Sequence, residues 1–261
     1  MLNIIVCIKQ VPDTNEVKLD PVTGTLIREG VPSIINPDDK AGLEAALTLK
    51  DQYGAKVTVL SMGPQQADLA LREALAMGAD EAILVTDRAF GGADTWATSS
   101  TLAAAIKKLD YDLIITGRQA IDGDTAQVGP QIAEHLGLAN ISYAEDIKLD
   151  GDNVIVRRQY EDRYHLLRAK MPCLITALSE MNKPRYMTPG GIFDAYREKT
   201  ITVWGRPDLE VEEGNIGLKG SPTRVFKSFT KAVKGKGTVV ALDTQESVDF
   251  LIEKLQEKFI L

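Results

Sequence analysis

The 261-residue chain has few of the residues that build disulfide scaffolds and metal centres. Its two cysteines, Cys7 and Cys173, each sit inside an apolar run, which favours buried thiols over a disulfide or a metal pair. No CxxC spacing occurs, so a protein-bound iron–sulfur cluster is not supported. The only histidines, His135 and His165, belong to no Ser-His-Asp or metal-ligand pattern, and we expect structural and surface roles for them.

The sequence also lacks long apolar runs and an excess of basic residues. With 44% hydrophobic and 26% charged residues it has an ordinary globular composition, and no run approaches membrane-spanning length, so membrane insertion is not expected. The formal net charge of −7 argues against a general nucleic-acid role. A strand is predicted directly after Met1 and Leu2 with no signal peptide, so we expect a cytoplasmic location.

What the sequence does contain is a regular alternation of short apolar runs and helical patterns. The runs at residues 3–8, 56–61, 82–85 and 113–116 predict buried strands, because a strand covered by helices on both faces is apolar throughout. The segments between these runs have helical spacing. This order predicts an α/β fold with a doubly wound parallel sheet, Rossmann-like in type.

Two segments predict antiparallel hairpins. Residues 141–149 and 154–160 flank the turn sequence Asp-Gly-Asp-Asn at 150–153, and a further strand is predicted at 163–170. A smaller hairpin is predicted at 17–27, around a Pro- and Gly-containing turn.

The pattern weakens after residue 185. We therefore expect residues 1–185 to form the nucleotide-binding domain, and residues 186–261 an extended arm and a C-terminal helix. A long stretch without its own periodicity, here including a basic patch at 227–236, is not expected to form a compact domain. The helix predicted at 245–259 has one apolar stripe, which can face its own core or a partner, and we expect the arm to pack on another subunit.

A polar loop with three glycines lies between the strand at 113–116 and a predicted short helix at 131–136. Such loops lie at the carboxyl ends of parallel strands, where open α/β sheets bind ligands. The free N–H groups of a helix that opens at Gly129 and Pro130 suit a phosphate. The loop fits neither Gly-x-Gly-x-x-Gly nor the Walker pattern, so a nucleotide pocket of unspecified kind and a plain tight turn both stay open.

A second loop, residues 87–95, follows the strand predicted at 82–85 and leads into a helix. Gly91 and Gly92 permit close approach of a ligand to the backbone, and Asp94 or Thr95 can cap the helix. A capped turn without a ligand is the alternative. Two such loops on adjacent βα units can border one cleft.

The stretch GRQAIDGDTAQVGPQ, from Gly117 to Gln131, resembles the nucleotide-binding loop of the electron transfer flavoprotein β subunit. Further segments agree in the same order along essentially the whole chain. They are CIKQVP from Cys7, NP at Asn36, MGP at Met62, ALAMGAD from Ala74, MP at Met171 and NKPRY from Asn182.

This resemblance implies a heterodimer with an α subunit that carries FAD. In the simple type the β subunit holds a structural AMP. In the electron-bifurcating type it holds a second FAD that NADH reduces, with one electron going to ferredoxin or flavodoxin and the other through the α-subunit FAD to an acyl-CoA dehydrogenase. The FGGADTWATS stretch from Phe90 resembles the bifurcating type. The expectation is therefore FAD and NADH, with AMP as the alternative to FAD.

The resemblance also maps cofactor contacts onto this chain; no catalytic residue and no metal ligand is expected. The family's nucleotide contacts fall on Cys7, Asn36, Asp39, Met62, Asp122, Gly123, Asp124, Thr125, Ala126, Gln127, Val128, Gly129, Pro130 and Gln131. The second loop adds Phe90, Gly91, Gly92, Ala93, Asp94 and Thr95.

One position departs from the family pattern. Pro189 stands where the simple type carries a leucine that anchors its dehydrogenase, so Met187, Ile192 or Phe193 is expected to supply the anchor. A different class also fits the α/β pattern, namely a non-redox nucleotide-binding module that resembles universal stress proteins. The long arm favours the redox subunit, because a self-contained module has no need of it.

Overall fold

A computed structural model describes residues 1–13, 32–226, 235, 237 and 239–261. The small hairpin predicted at 17–27 and most of the basic patch at 227–236 lie outside the described residues. The chain divides into two compact units, Met1–Arg224 and Val225–Leu261.

The first unit contains all of the described strands and five of the described α-helices. The strands are β1 (Asn3–Cys7), β2 (Gln10–Pro12), β3 (Ser33–Ile35), β4 (Lys56–Met62), β5 (Glu81–Val85), β6 (Leu113–Gly117), β7 (Ala139–Asp150), β8 (Asn153–Gln159), β9 (Tyr164–Lys170), β10 (Cys173–Ala177) and β11 (Ile201–Trp204). The α-helices are α1 (Pro37–Tyr53), α2 (Asp68–Met77), α3 (Thr95–Ile106), α4 (Val128–Leu136) and α5 (Pro189–Arg197).

Nine of these strands form one sheet in the order β11-β5-β4-β1-β6-β10-β7-β8-β9. The strands from β11 to β7 pair in parallel, and β8 and β9 extend the sheet in antiparallel pairs. The chain builds outward from β1 through β4 to β5, then returns to place β6 and β10 on the other side. The predicted doubly wound sheet with an antiparallel hairpin is confirmed, and its topological switch point lies between β1 and β6.

Both faces of the parallel sheet are covered because alternate side chains of its central strands enter two different cores. Ile4 and Val6 of β1 pack with buried residues of α1 and α2, whereas Ile5 and Cys7 pack with buried residues of α3 and α4. This arrangement explains why the strand sequence is apolar without alternation.

Residues 186–224 do not form the extended arm that the sequence predicted. Strand β11 pairs in parallel with β5 at the edge of the main sheet, and α5 packs on α2, where Arg72 donates a hydrogen bond to the carbonyl of Ala195. Thr188 caps α5 by accepting the N–H of Gly191 at 3.0 Å, and Pro189 occupies the first turn. The compact unit therefore ends at Arg224, not at residue 185.

The second unit contains α6 (Thr244–Glu257), where the sequence predicted a helix over 245–259. Asp243 caps it by accepting the N–H of Glu246 at 2.9 Å. No residue of α6 is buried, and its apolar stripe includes Val248, Leu251 and Ile252. Among the described helices of both units, none has the length and hydropathy needed to cross a membrane.

Candidate functional site

A large cleft opens at the carboxyl ends of β1, β4, β5 and β6. Its volume is about 1010 Å³, at the upper end of the range of about 300–1,000 Å³ that is usual for small-molecule and cofactor sites. The two glycine-containing loops, at residues 86–95 and 117–129, contribute most of its lining. The cleft thus lies beside the switch point, where parallel α/β sheets bind their ligands.

The first turn of α1 ties together the two strand ends that flank the switch point. The carboxylate of Asp39 accepts the backbone N–H of Lys9, after β1, at 2.8 Å, and the N–H of Gly117, at the end of β6, at 2.9 Å. A Cβ at Gly117 would lie 2.1 Å from Asp39 Oδ1, so only glycine permits this approach. Asp39 therefore holds both strand ends against α1.

Burial controls the protonation of Asp39 and of the neighbouring thiol of Cys7. It raises the pKa of Asp39 to about 7, against the opposing effect of the hydrogen bonds from Lys9 and Gly117. Burial, with a smaller contribution from the charge of Asp39, raises the pKa of the Cys7 thiol to about 12. Cys7 is therefore a neutral thiol at physiological pH and a poor nucleophile.

Asn36, just before α1, fixes the path of the loop at residues 117–127. Its Nδ2 donates to the carbonyl of Gln119 at 2.8 Å, and its Oδ1 accepts the N–H of Ile121 at 3.1 Å. The residue is fully buried, so both bonds are protected from water. Asn36 acts on the loop backbone and does not itself line the cleft.

Side-chain contacts hold the rest of this loop. Lys9 Nζ lies 2.6 Å from Asp122 Oδ1, and Gln119 Nε2 donates to Asp124 Oδ1 at 2.9 Å. Asp124 and Ala126 have φ values of 48° and 53°, a left-handed conformation that is uncommon for residues with a Cβ. Strained backbone of this kind persists where the surrounding contacts hold it, and it is concentrated at ligand sites.

The loop leads directly into α4, and the first turn of α4 packs closely against β6 and β10. A Cβ at Gly129 would lie 2.5 Å from Thr116 Oγ1 and 2.9 Å from Thr176 Cγ2, so glycine is required for this packing. The first hydrogen bond of the helix runs from the N–H of Gln131 to the carbonyl of Gln127 at 3.0 Å. The N–H groups of Val128 and Gly129 precede it and remain as potential donors to a ligand.

The second loop joins the first at the mouth of the cleft, where Thr95 Oγ1 donates to Gln127 Oε1 at 2.8 Å. Its glycines do not open space for a ligand as the sequence suggested. A Cβ at Gly92, where φ is 71°, would lie 3.2 Å from Leu218 Cβ, and one at Gly91 would lie 3.2 Å from the carbonyl of Arg88. The missing side chains thus make room for protein atoms, and the loop backbone lines the cleft.

Most of the residues that the sequence nominated lie around this one cleft. The cleft-lining members of that set are Cys7, Asp39, Met62, Phe90, Gly91, Gly92, Ala93, Asp94, Thr95, Gly123, Thr125, Ala126, Gln127, Val128 and Gly129. The remaining five, which do not line the cleft, are Asn36, Asp122, Asp124, Pro130 and Gln131.

Several residues that line the cleft were not predicted from the sequence, among them Lys9, Arg88, Arg118 and Thr223. Three of them are cations, which make strong charge-assisted hydrogen bonds to phosphate oxygens. Lys9 lies two residues after β1 and Arg118 directly after β6, so their position after a buried run was a usable signal. Thr223 carried no such signal, because it lies far along the chain from every other lining residue.

Both histidines lie outside the cleft. His135 Nε2 lies 3.1 Å from Ser99 Oγ, and its ring packs edge-on against Trp96. Burial lowers the pKa of His135, so it is neutral at physiological pH, in keeping with the structural role expected for it. His165 is exposed on β9 and stacks with Tyr160 at a centroid distance of 4.3 Å.

The fold and the cleft define a doubly wound α/β protein with its candidate ligand site at the switch point. Residues 23–209 match the family model described as the electron transfer flavoprotein domain. The chain therefore belongs to the electron transfer flavoprotein family, and its full-length relatives include proteins named electron transfer flavoprotein subunit beta.

Three relatives illustrate this placement. The electron transfer flavoprotein subunit beta of Clostridium acetobutylicum is 60% identical over 98% of this chain and 99% of its own length. The caffeyl-CoA reductase-Etf complex subunit CarD of Acetobacterium woodii is 57% identical over the whole of both chains. The acryloyl-CoA reductase electron transfer subunit gamma of Anaerotignum propionicum is 48% identical, also over the whole of both chains.

Proposed function

We propose that this chain is the β subunit of an electron-bifurcating electron transfer flavoprotein and that it binds FAD in the cleft. Two electrons enter as a hydride from NADH. One electron leaves to ferredoxin or flavodoxin, and the other passes through the FAD of the α subunit to an acyl-CoA dehydrogenase. The names of the relatives from Acetobacterium woodii and Anaerotignum propionicum, which refer to acyl-CoA reductase complexes, support the last partner.

The observation that carries the proposal is the extent of the cleft. It reaches from the start of α4 past the ends of β1 and β4 to the loop after β5. With a strand spacing of about 4.8 Å, the ends of β6 and β5 are about 14 Å apart across three steps of the sheet. A mononucleotide at the start of α4 needs only one end of such a cleft, whereas a dinucleotide uses both.

The residues around the α4 end suit the phosphates of the ligand. The N–H groups of Val128 and Gly129 and the positive end of the helix dipole favour an anion there. Lys9 and Arg118 also line the cleft, the first paired with Asp122 at 2.6 Å and the second 3.4 Å from Asp38, and both are cations that can pair with a phosphate. When bound, FAD would supply the chemistry that accepts a hydride and releases single electrons, while the protein binds and orients it.

The surface around α5 suits a partner protein. Met187, Ile192, Phe193 and Tyr196 are between 40% and 58% exposed, and together they form an apolar surface beside α2. We propose this surface as the dock for the acyl-CoA dehydrogenase. The second unit, with its unburied α6, is proposed to dock on the α subunit.

The test is the cofactor content of the purified heterodimer, followed by anaerobic titration with NADH. The expected result is two FAD per heterodimer, with bleaching of one flavin by NADH before the other. One FAD with one AMP, and no bleaching by NADH, would identify a non-bifurcating electron carrier. A stable, colourless chain purified without a partner would favour the universal-stress-like module.

A further inference from the structure

Residues 216–223, called the strap here, cross the back of the loop at residues 89–95. The N–H of Leu218 donates to the carbonyl of Gly91 at 3.0 Å, and the N–H of Asp94 donates to Ser221 Oγ at 2.8 Å. Thr223 donates to Asp94 Oδ2 from its N–H at 2.9 Å and from its Oγ1 at 2.8 Å. Hydrogen bonds thus join two segments that are more than 120 residues apart in sequence.

The strap and the loop pack closely at two glycines, one on each side. Gly217 has a φ of 56°, and a Cβ there would lie 2.0 Å from the carbonyl oxygen of Ala89. Gly92 of the loop, at a φ of 71°, faces the side chain of Leu218, and a Cβ there would lie 3.2 Å from Leu218 Cβ. Because backbone meets backbone here, the strap sets the position of the loop and leaves it little freedom.

Asp94 is the residue through which the strap acts on the cleft. Its Oδ1 caps α3 by accepting the N–H of Ala97 at 3.0 Å, while its Oδ2 accepts both bonds from Thr223. Asp94 and Thr223 line the cleft, whereas Ser221 is buried behind them and does not. Loss of the strap bonds would therefore act first on the β5 side of the cleft, which meets the loop at 117–129 through the hydrogen bond from Thr95 to Gln127.

We propose that the strap determines the length of the ligand that the cleft accepts. By holding residues 89–95 in place it completes the end of the cleft that takes the part of a dinucleotide beyond its adenosine phosphate. Without the strap bonds the chain keeps its affinity for AMP and loses affinity for FAD. The inference rests on the proposed function and assigns a specificity role to a segment distant in sequence from both loops.

The test uses the variant pair Ser221→Ala and Ser221→Ala/Thr223→Val in the full-length protein with its partner subunit, depleted of nucleotide at this site. Each is titrated with FAD and with AMP, and thermal unfolding is recorded. The double variant should bind FAD at least about tenfold more weakly, with the affinity for AMP within about twofold of the unaltered protein. Ser221→Ala alone should show a smaller loss in the same direction, which separates the strap from direct contact of Thr223 with the ligand.

The matched control is Ser179→Ala/Thr202→Val, the same two chemical changes at exposed positions outside the strap and the cleft. It should leave both affinities unchanged. Equal weakening of FAD and AMP binding, or FAD binding unchanged in the folded double variant, would overturn the strap proposal. If the unaltered protein binds AMP and not FAD, the proposed function itself is contradicted, and this outcome is distinct because it requires no variant.

Discussion

The side chain of Asp39 and the backbone of Gly117 are 78 residues apart in sequence and 2.9 Å apart in space. Their hydrogen bond joins the start of α1 to the end of β6, and the other oxygen of the same carboxylate holds the chain after β1. One buried side chain thus connects both strands of the switch point. The shape of the candidate site depends on it, which leads to the first two predictions.

Gly117→Ala should destabilise the first unit. The new methyl would lie 2.1 Å from Asp39 Oδ1 and 2.8 Å from the backbone nitrogen of Asp39, so α1 or β6 has to shift. Overpacking of this kind costs about 1–3 kcal/mol in the free energy of unfolding, measurable by thermal or denaturant unfolding. Gly190→Ala is the control, because a Cβ there meets no atom within 4 Å. Equal stability of the two variants would contradict the prediction.

Stability should depend on pH through Asp39. Its pKa is raised from 3.8 to about 7 in the folded chain, so between these values the folded state holds a proton that the unfolded state has released. The contribution of Asp39 is therefore fully present below about pH 4 and is lost as the pH rises toward 7, with a slope of up to about 1.4 kcal/mol per pH unit. In Asp39→Asn this slope should disappear.

The measurement is urea unfolding of both proteins at half-unit steps from pH 4.5 to pH 8. The free energy of unfolding of the original protein, minus that of Asp39→Asn, should decrease as the pH rises toward 7, by up to about 1.4 kcal/mol per pH unit. A difference that stays constant over this range would show that Asp39 is already ionised throughout. The variant should also be less stable where Asp39 is neutral, since an amide N–H₂ then faces a backbone N–H donor.

Much of the fold could be predicted because the central strands carry their signal locally. The runs at residues 3–8 and 113–116 are apolar on both faces, and Asp150-Gly-Asp-Asn153 marks its turn in four consecutive residues. Strand β11 escaped prediction because it has four residues at a sheet edge, two of them exposed. Helix α5 escaped because Pro189 and two glycines follow one another, a sequence that is more common in loops.

One part of the candidate site could also be predicted from the sequence, and another part could not. The loop at 117–131 could be found from the strand before it and the helix after it. The strap could not, because its contacts with Gly91 and Asp94 are backbone and side-chain hydrogen bonds between distant segments, which leave no periodicity in the sequence. The space beside Gly92 is filled by Leu218, which is distant in sequence. The sequence alone therefore suggested, wrongly, that a ligand fills this space.

Phe193→Ser should weaken electron transfer to the acyl-CoA dehydrogenase without changing flavin content. Phe193 is 58% exposed on α5 with no role in the described core, and aromatic side chains of this kind often dominate interfaces. An interface anchor is worth about 2 kcal/mol or more, so the dehydrogenase concentration for half-maximal rate should rise at least about tenfold. Tyr53→Ser, at a comparably exposed aromatic residue at the end of α1, is the control. Equal behaviour of the two variants would exclude this surface as the dock.

Deletion of residues 225–261 should abolish the heterodimer and leave the first unit folded. The sheet, β11 and the strap all lie before residue 225, so a chain that stops at Arg224 keeps every strand pair of the described fold. The deleted part contains α6, whose apolar stripe has no buried residue and is proposed to be covered by the α subunit. Size-exclusion chromatography and circular dichroism would check assembly and folding separately.

A second truncation at residue 186 is the comparison, because it also removes β11 and α5, exposes β5 and α2, and should unfold the unit. A heterodimer that forms normally with the chain ending at Arg224 would show that the α subunit binds the first unit alone.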